Sequence, residues 1–113
     1  MFYKKNDNNY NQPAEGIKLK TLTYGEKTQL CEFKVQKGSR LPPHEHPHEQ
    51  TGYLVSGKIV LIIEDQRYEA EPGDAWSIPG RVPHGAEVIE DAVVIEVFSP
   101  IREDYLPYYT PSE

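Results

Sequence analysis

GSRLPPHEHPHEQTGYLVSG, residues Gly38 to Gly57, is the stretch on which the reading of this chain turns. It places His44, His46, His48 and Gln50 at alternate positions, after Pro42 and Pro43 and between two glycines. In an extended backbone successive side chains point to opposite faces, so these four are expected on one face. Three imidazoles and a carboxamide on one side of a strand have little value as packing. They suit the start of a metal cage, because neutral imidazole is the commonest transition-metal ligand. Glu49 has the opposite parity and is expected to point away.

On either side of this stretch the chain is a series of short extended runs separated by turn signals. IKLKTLTYG and TQLCEFKVQ alternate apolar and polar residues and are joined at Gly25-Glu26. TGYLVS leads into KIVLIIE, with a tight hairpin turn expected at Val55-Ser56-Gly57-Lys58. Further turns are expected at Asp65-Gln66, at Pro72-Gly73-Asp74 and at Glu90-Asp91. The loop PGRVP delivers His84 to the start of HGAEVIE, and AVVIEVFSP follows. Strands at this spacing, with prolines in the loops and no useful helical period, read as an all-β sandwich or barrel. Residues 1–15 are Asn-rich and are expected to form a flexible arm, open to exchange with a partner subunit. Residues 16–100 form the barrel, and residues 101–113 a tail whose tyrosines cover a sheet edge or the open end.

Composition narrows the classes of function. The 113 residues hold one core, and a formal charge of −6 argues against nucleic acid or an acidic membrane as partner. A single cysteine, Cys31, rules out an internal disulfide framework and suits a reducing compartment. Its place in the alternating run CEFKV makes it a half-buried strand thiol rather than a nucleophile. The N-terminus lacks the apolar core of a secretion signal, and no apolar run is long enough to span a membrane. The protein is expected to be cytoplasmic.

His84, carried by a second loop punctuated with proline and glycine, gives the first histidines a distant partner. Here the sequence resembles the cupin superfamily. Gly38, His44, His46, Gln50 and Gly57 match the first cupin motif at every spacing, with Gln50 in its acidic slot. Gly73, Pro79 and His84 match the second. Two positions depart: the middle glycine of that motif falls on Arg81, with Gly80 one place early, and its closing asparagine falls on Val88. The resemblance implies a jelly-roll barrel (double-stranded β-helix) binding one divalent transition metal through His44, His46, Gln50 and His84. Donor softness allows Zn, Ni, Fe, Mn or Co. A neutral Gln50 in place of a carboxylate would leave the ion a stronger Lewis acid. His48 matches no ligand slot and is expected behind the ligands or at the surface.

The strand AVVIEVFSP puts Ala92, Val94, Glu96 and Phe98 on one face. A glutamate among valines is costly unless it faces a polar cavity or a cation, the alternative being the solvent face of an edge strand. Arg102 has a planar fork suited to gripping a carboxylate, or pairs at the surface with Glu103 or Asp104. The run from Glu96 to Tyr105 resembles one group of small cupins, the pectin-degradation proteins that linearise unsaturated uronates. Their acid, aromatic and arginine fall on Glu96, Phe98 and Arg102, with Glu96 one methylene longer than their aspartate. That resemblance implies an isomerase of sugar acids, with Glu96 as proton carrier, Arg102 as carboxylate clamp and Phe98 packed on the sugar. Two other readings stay open: a non-enzymatic sugar or small-acid binding module, and an Fe(II)-dependent dioxygenase. Small cupins commonly pair, so a homodimer is expected.

Overall fold

The structure, a computed structural model, describes residues 1–106. Tyr108 and Tyr109 of the expected tail lie outside the described residues. Eight antiparallel strands run in chain order: β1 Asn11–Ala14, β2 Ile17–Tyr24, β3 Gln29–Val35, β4 Arg40–His44, β5 Glu49–Ile63, β6 Gln66–Ala70, β7 Ala75–Ile78 and β8 His84–Ser99. A single 3-10 turn at Glu103–Tyr105 follows. No described helix is long and apolar enough to cross a membrane.

β5 and β8 organise everything else. They are 15 and 16 residues long and pair with each other from Glu49↔Ser99 to Ile63↔His84. One half of this ribbon continues into β3, β2 and β1 on one side and β7 on the other. The other half is flanked by β4 and β6. The ribbon therefore serves two layers, and its middle must bend. Register shifts between Leu54 and Ile59 mark that bend. Gly57 lies inside it at φ 85°, a conformation that favours glycine. A Cβ there would collide with the Asp91 carbonyl and with Ala92.

Two expected turns are thus absent. Val55–Lys58 and Glu90-Asp91 are not hairpins but the facing sides of one bend in a continuous ribbon. A glycine at positive φ serves a bulge as well as a hairpin, and the local sequence reads alike for both. The turns after Tyr24 and Ile63 and at Pro72-Gly73-Asp74 are where they are expected. Residues 11–14, within the expected flexible arm, form the edge strand β1. Ahead of it the Tyr10 hydroxyl donates to Glu32, and Lys20 Nζ donates to the Asn6 carbonyl at 3.0 Å.

The core lies between the layers and is built by alternation. Ile17 and Leu19 of β2, Cys31, Phe33 and Val35 of β3, and Val94 and Phe98 of β8 all point into it. Inward burial of such side chains is worth about 1.5–3 kcal/mol each. β8 follows the expected parity: Ala92, Val94, Glu96 and Phe98 are buried, and the residues between them are half-buried. Val88, in the slot of the motif's asparagine, is a core residue at 5% exposure. Arg81, in the slot of the motif's glycine, holds φ 66°. The backbone keeps the left-handed conformation a glycine would supply, and its amide donates to the His46 carbonyl at 2.7 Å. Gly80 serves a different need, because a Cβ there would strike the Pro47 carbonyl.

Candidate metal centre

The histidines converge, though not along one strand. His44 ends β4, His46 lies in the following loop, and Gln50 is the second residue of β5. The two prolines before His44 suit β4, a short strand paired on one side only, with β8. Pro47 and the Arg81–His46 backbone bond break the extended path that alternation implied. The fold restores the convergence by another route. His44 faces His84 across the β4–β8 pair, and the His46 loop is tied to the loop before His84. Ring centroids are 4.4 Å apart for His44 and His84, 4.9 Å for His46 and His84, and 5.7 Å for His44 and His46.

One nitrogen from each of His44, His46 and His84 lies within 4.8 Å of the others. Donors sharing one tetrahedral ion with bonds near 2.1 Å would be about 3.4 Å apart, so the rings would draw inward to hold it. Gln50 adds an oxygen: Oε1 lies 2.8 Å from His46 Nε2. Nδ1 is held in His84 and His44, while Nδ1 of His46 is buried with no partner among the described residues. His84 Nδ1 is 2.8 Å from the Val82 carbonyl and His44 Nδ1 is 3.1 Å from the Pro42 carbonyl. Bonds of this kind hold the N–H on Nδ1 and leave Nε2 as the ligand atom. His84 Nε2 is buried without a hydrogen-bond partner among the described residues, a costly state that an ion would relieve.

Protonation favours the same use. Burial, with the nearby Arg102 charge as the next cause, holds His46 down to about 4. Burial likewise lowers His84 against the opposing bond to Val82. Both rings are neutral near pH 7, as metal ligation requires. The three imidazoles and the amide oxygen of Gln50 therefore fit a divalent transition ion. Glu49 is exposed and turned away. His48 is half-buried with its ring 5.4 Å from that of His46, and burial lowers its pKa too.

The same cavity receives the residues of β8 and the C-terminal segment. Gln50 Nε2 donates to Glu96 Oε2 at 2.8 Å, so one carboxamide touches both His46 and Glu96. Glu96 is 8% exposed, and burial pushes it up to about 7 while donors from Gln50 and Trp76 pull the other way. Phe98, fully buried, lies edge-on to His46 with centroids 5.9 Å apart. Arg102 lines the cavity and also pairs with Asp104, Nη2 donating to Oδ2 at 3.0 Å. Of the two expected settings, the pairing with Asp104 is the one seen, and it is made from a position in the cavity wall.

Three supporting residues, Trp76, Gln29 and Thr21, carried no signal of their own, and a fourth, Tyr105, belongs to the tail whose tyrosines were expected to cover a sheet edge or the open end. Trp76 Nε1 donates to Glu96 Oε1 at 3.4 Å, and the indole fits only because Gly52, its partner across the β5–β7 pair, has no Cβ. Gln29, completely buried, accepts from the Arg102 amide at 2.6 Å and donates to the Arg102 carbonyl at 3.1 Å. Its Nε2 also donates to Thr21 Oγ1 at 2.8 Å, and Thr21 donates to the Tyr105 carbonyl at 2.6 Å. Tyr105 packs edge-on against Phe33 and Phe98 and lies under the Arg102 guanidinium. The pairing of Gly52 with Trp76 shows only once the strand register is known.

A two-layered antiparallel fold in which His44, His46 and His84 converge defines a class, and the family comparison agrees. Residues 31–98 match the cupin domain model, and the chain belongs to the cupin family. It is 32% identical over 95 residues to the pectin degradation protein KdgF of Dickeya dadantii, spanning 82% of this chain and 86% of that protein. The structure of KdgF from Halomonas sp. superposes with a TM-score of 0.87 at 31% identity, over 94% of this chain and 100% of that one. An RmlC-like cupin from Shewanella frigidimarina follows at 0.82 and 27% identity, covering 86% and 87% of the two chains.

Proposed function

We propose that this chain is a metal-dependent cupin that converts an unsaturated or cyclic uronate to its linear keto form, a step in pectin breakdown. The observation that carries the reading is the Gln50 carboxamide, whose oxygen faces the histidine cluster while its nitrogen holds the Glu96 carboxylate. A donor set for a cation and a buried acid share one cavity. The similarity to KdgF along most of the chain supports the substrate class.

An unsaturated uronate is a cyclic enol ether. Opening it breaks the bond between the anomeric carbon and the ring oxygen, and the anomeric hydroxyl becomes a carbonyl. The enol left behind gains a proton on carbon and loses one from oxygen, so atoms and electrons balance without a co-reactant. A divalent ion held by His44, His46, Gln50 and His84 would supply polarisation of the substrate's oxygens. Glu96, neutral or ionised near pH 7, is suited to carry the proton between oxygen and carbon. Arg102 receives the carboxylate, with its fork seated on the Tyr105 ring. Phe98 closes the apolar side of the cavity and keeps water from the acid.

The test is an assay of unsaturated galacturonate followed by loss of alkene absorbance. Glu96→Gln is expected to lower turnover by about 10²- to 10⁴-fold, the range of a general acid–base, with bound metal unchanged. Wild-type rates in both Glu96→Gln and Arg102→Ala would remove the roles given to these residues. Binding by the wild type without any turnover would instead make this a binding module.

A further inference from the structure

We propose that Asp104 attenuates the carboxylate subsite at Arg102, acting as a fixed counter-charge that sets how tightly the site holds an acid. The inference rests on the reading of Arg102 as the partner of the substrate's carboxylate. Asp104 takes one edge of the guanidinium, with Nη2 donating to Oδ2 at 3.0 Å and Nε to Oδ1 at 3.4 Å. This is the two-point contact by which an arginine grips any carboxylate. The partners differ in setting: the Arg102 side chain is 13% exposed and that of Asp104 is 48% exposed. Arg102 lines the cavity and Asp104 does not. The counter-charge therefore sits outside the site and acts through the arginine.

The position of Arg102 does not depend on this bond. Its guanidinium carbon lies 3.8 Å from the centre of the Tyr105 ring and 5.3 Å from that of Phe98. Its backbone amide and carbonyl are both bonded to the buried Gln29, and Thr21 fixes the carbonyl of Tyr105. Two rings outside Asp104 thus hold the fork, and Gln29 holds the backbone that carries it. Removing the negative charge leaves the geometry standing and strengthens the positive field that an incoming carboxylate meets. In the native protein the opposite holds, and acids bind more weakly than an unpaired arginine would allow. Such weakening favours release where substrate and product carry the same carboxylate, as in an isomerisation.

The experiment is calorimetric titration of Zn(II)-loaded protein with D-galacturonate, and with D-galactose as the neutral probe. Wild type, Asp104→Asn, Asp104→Glu and the double variant Arg102→Ala/Asp104→Asn are compared. Asp104→Asn is expected to bind galacturonate a few-fold more tightly, up to about fivefold, the range of an exposed ion pair. Asp104→Glu should stay near wild type, and galactose should be unaffected throughout. The double variant should show no gain. Equal or weaker galacturonate binding by Asp104→Asn would overturn the proposal, as would equal tightening of galactose or no galacturonate binding in any variant. Turnover is read separately. An inactive protein that still shows the gain removes the proposed reaction and leaves the counter-charge in place, and an active protein without the gain does the reverse.

Discussion

The two ends of the cavity are held by different kinds of bond. At the histidine end the anchoring is local: His44 and His84 each bond a backbone carbonyl two residues earlier in the chain. At the acid end it is long-range: Gln50 and Glu96 are 46 residues apart, Gln29 and Arg102 are 73, and Thr21 and Tyr105 are 84. Each histidine segment holds its own rings, and the pairing of β4 with β8 brings the segments together. A site built from distant side chains depends on the register of the whole sheet. The two ends should therefore fail separately.

The largest separation is expected from His84→Ala. It removes the only partner that His44 faces across the β4–β8 pair, and metal affinity should fall by more than the roughly 10- to 100-fold typical of an outer-shell change. Metal content after dialysis reads this directly, while near-wild-type circular dichroism shows that the sheet persists. A metal content unchanged in His84→Ala would break the assignment of the histidine end.

Two glycine substitutions sharpen the comparison, since each places a methyl group against one end. Gly80→Ala forces the Pro47 carbonyl away and should weaken metal binding, at a stability cost of about 1–3 kcal/mol. Gly52→Ala drives the Trp76 indole off Glu96, and it should slow turnover with metal content unchanged. As Trp76 is the sole tryptophan, its fluorescence reports the displacement. If both variants lost metal equally, the two ends would be one unit.

Gln29→Leu tests the long-range anchor. It leaves the Arg102 amide and carbonyl without their side-chain partner and takes one donor from the Thr21 hydroxyl, costing about 1–3 kcal/mol in denaturant melts. KM for an acid substrate should rise while metal affinity stays unchanged.

The smallest effect is in the pH dependence of the metal-free protein. His46 and His84 have folded pKa values below the unfolded value, so their contribution is present above about pH 6.5 and lost as pH falls, for His46 through about 4. Glu96 has the opposite sign. Its folded pKa is raised to about 7, so its contribution is present below about pH 4.5 and lost as pH rises through 7. The two trends oppose each other in the wild type. Glu96→Gln should remove the falling trend and leave stability rising up to about pH 6.5 in chemical denaturation. A wild-type profile in that variant would contradict the raised Glu96.

The same difference in anchoring explains what was legible in the sequence. His44, His46, Gln50 and His84 stand at recognisable spacings, because a ligand loop is local and its prolines and glycines stay close to its histidines. The face of β8 that carries Glu96 and Phe98 was legible from alternation alone. Gln29, Thr21 and Trp76 were not, because a polar or aromatic residue in an alternating strand shows its role only when the partner strand is in register. The continuity of β5 through Gly57 was misread for a related reason. Positive φ identifies a bend, and only the facing Asp91–Ala92 backbone shows that the bend lies within a paired ribbon. Arg81 marks the converse: the motif's glycine is gone while its backbone conformation is kept.

Gln50, His84, Glu96 and Phe98 all lie on the two long strands that zip to one another from end to end. Local fraying elsewhere leaves these four side chains where they are, so their dispersal requires the central ribbon to open. Amide protons of β5 and β8 should then be the last to exchange with deuterium.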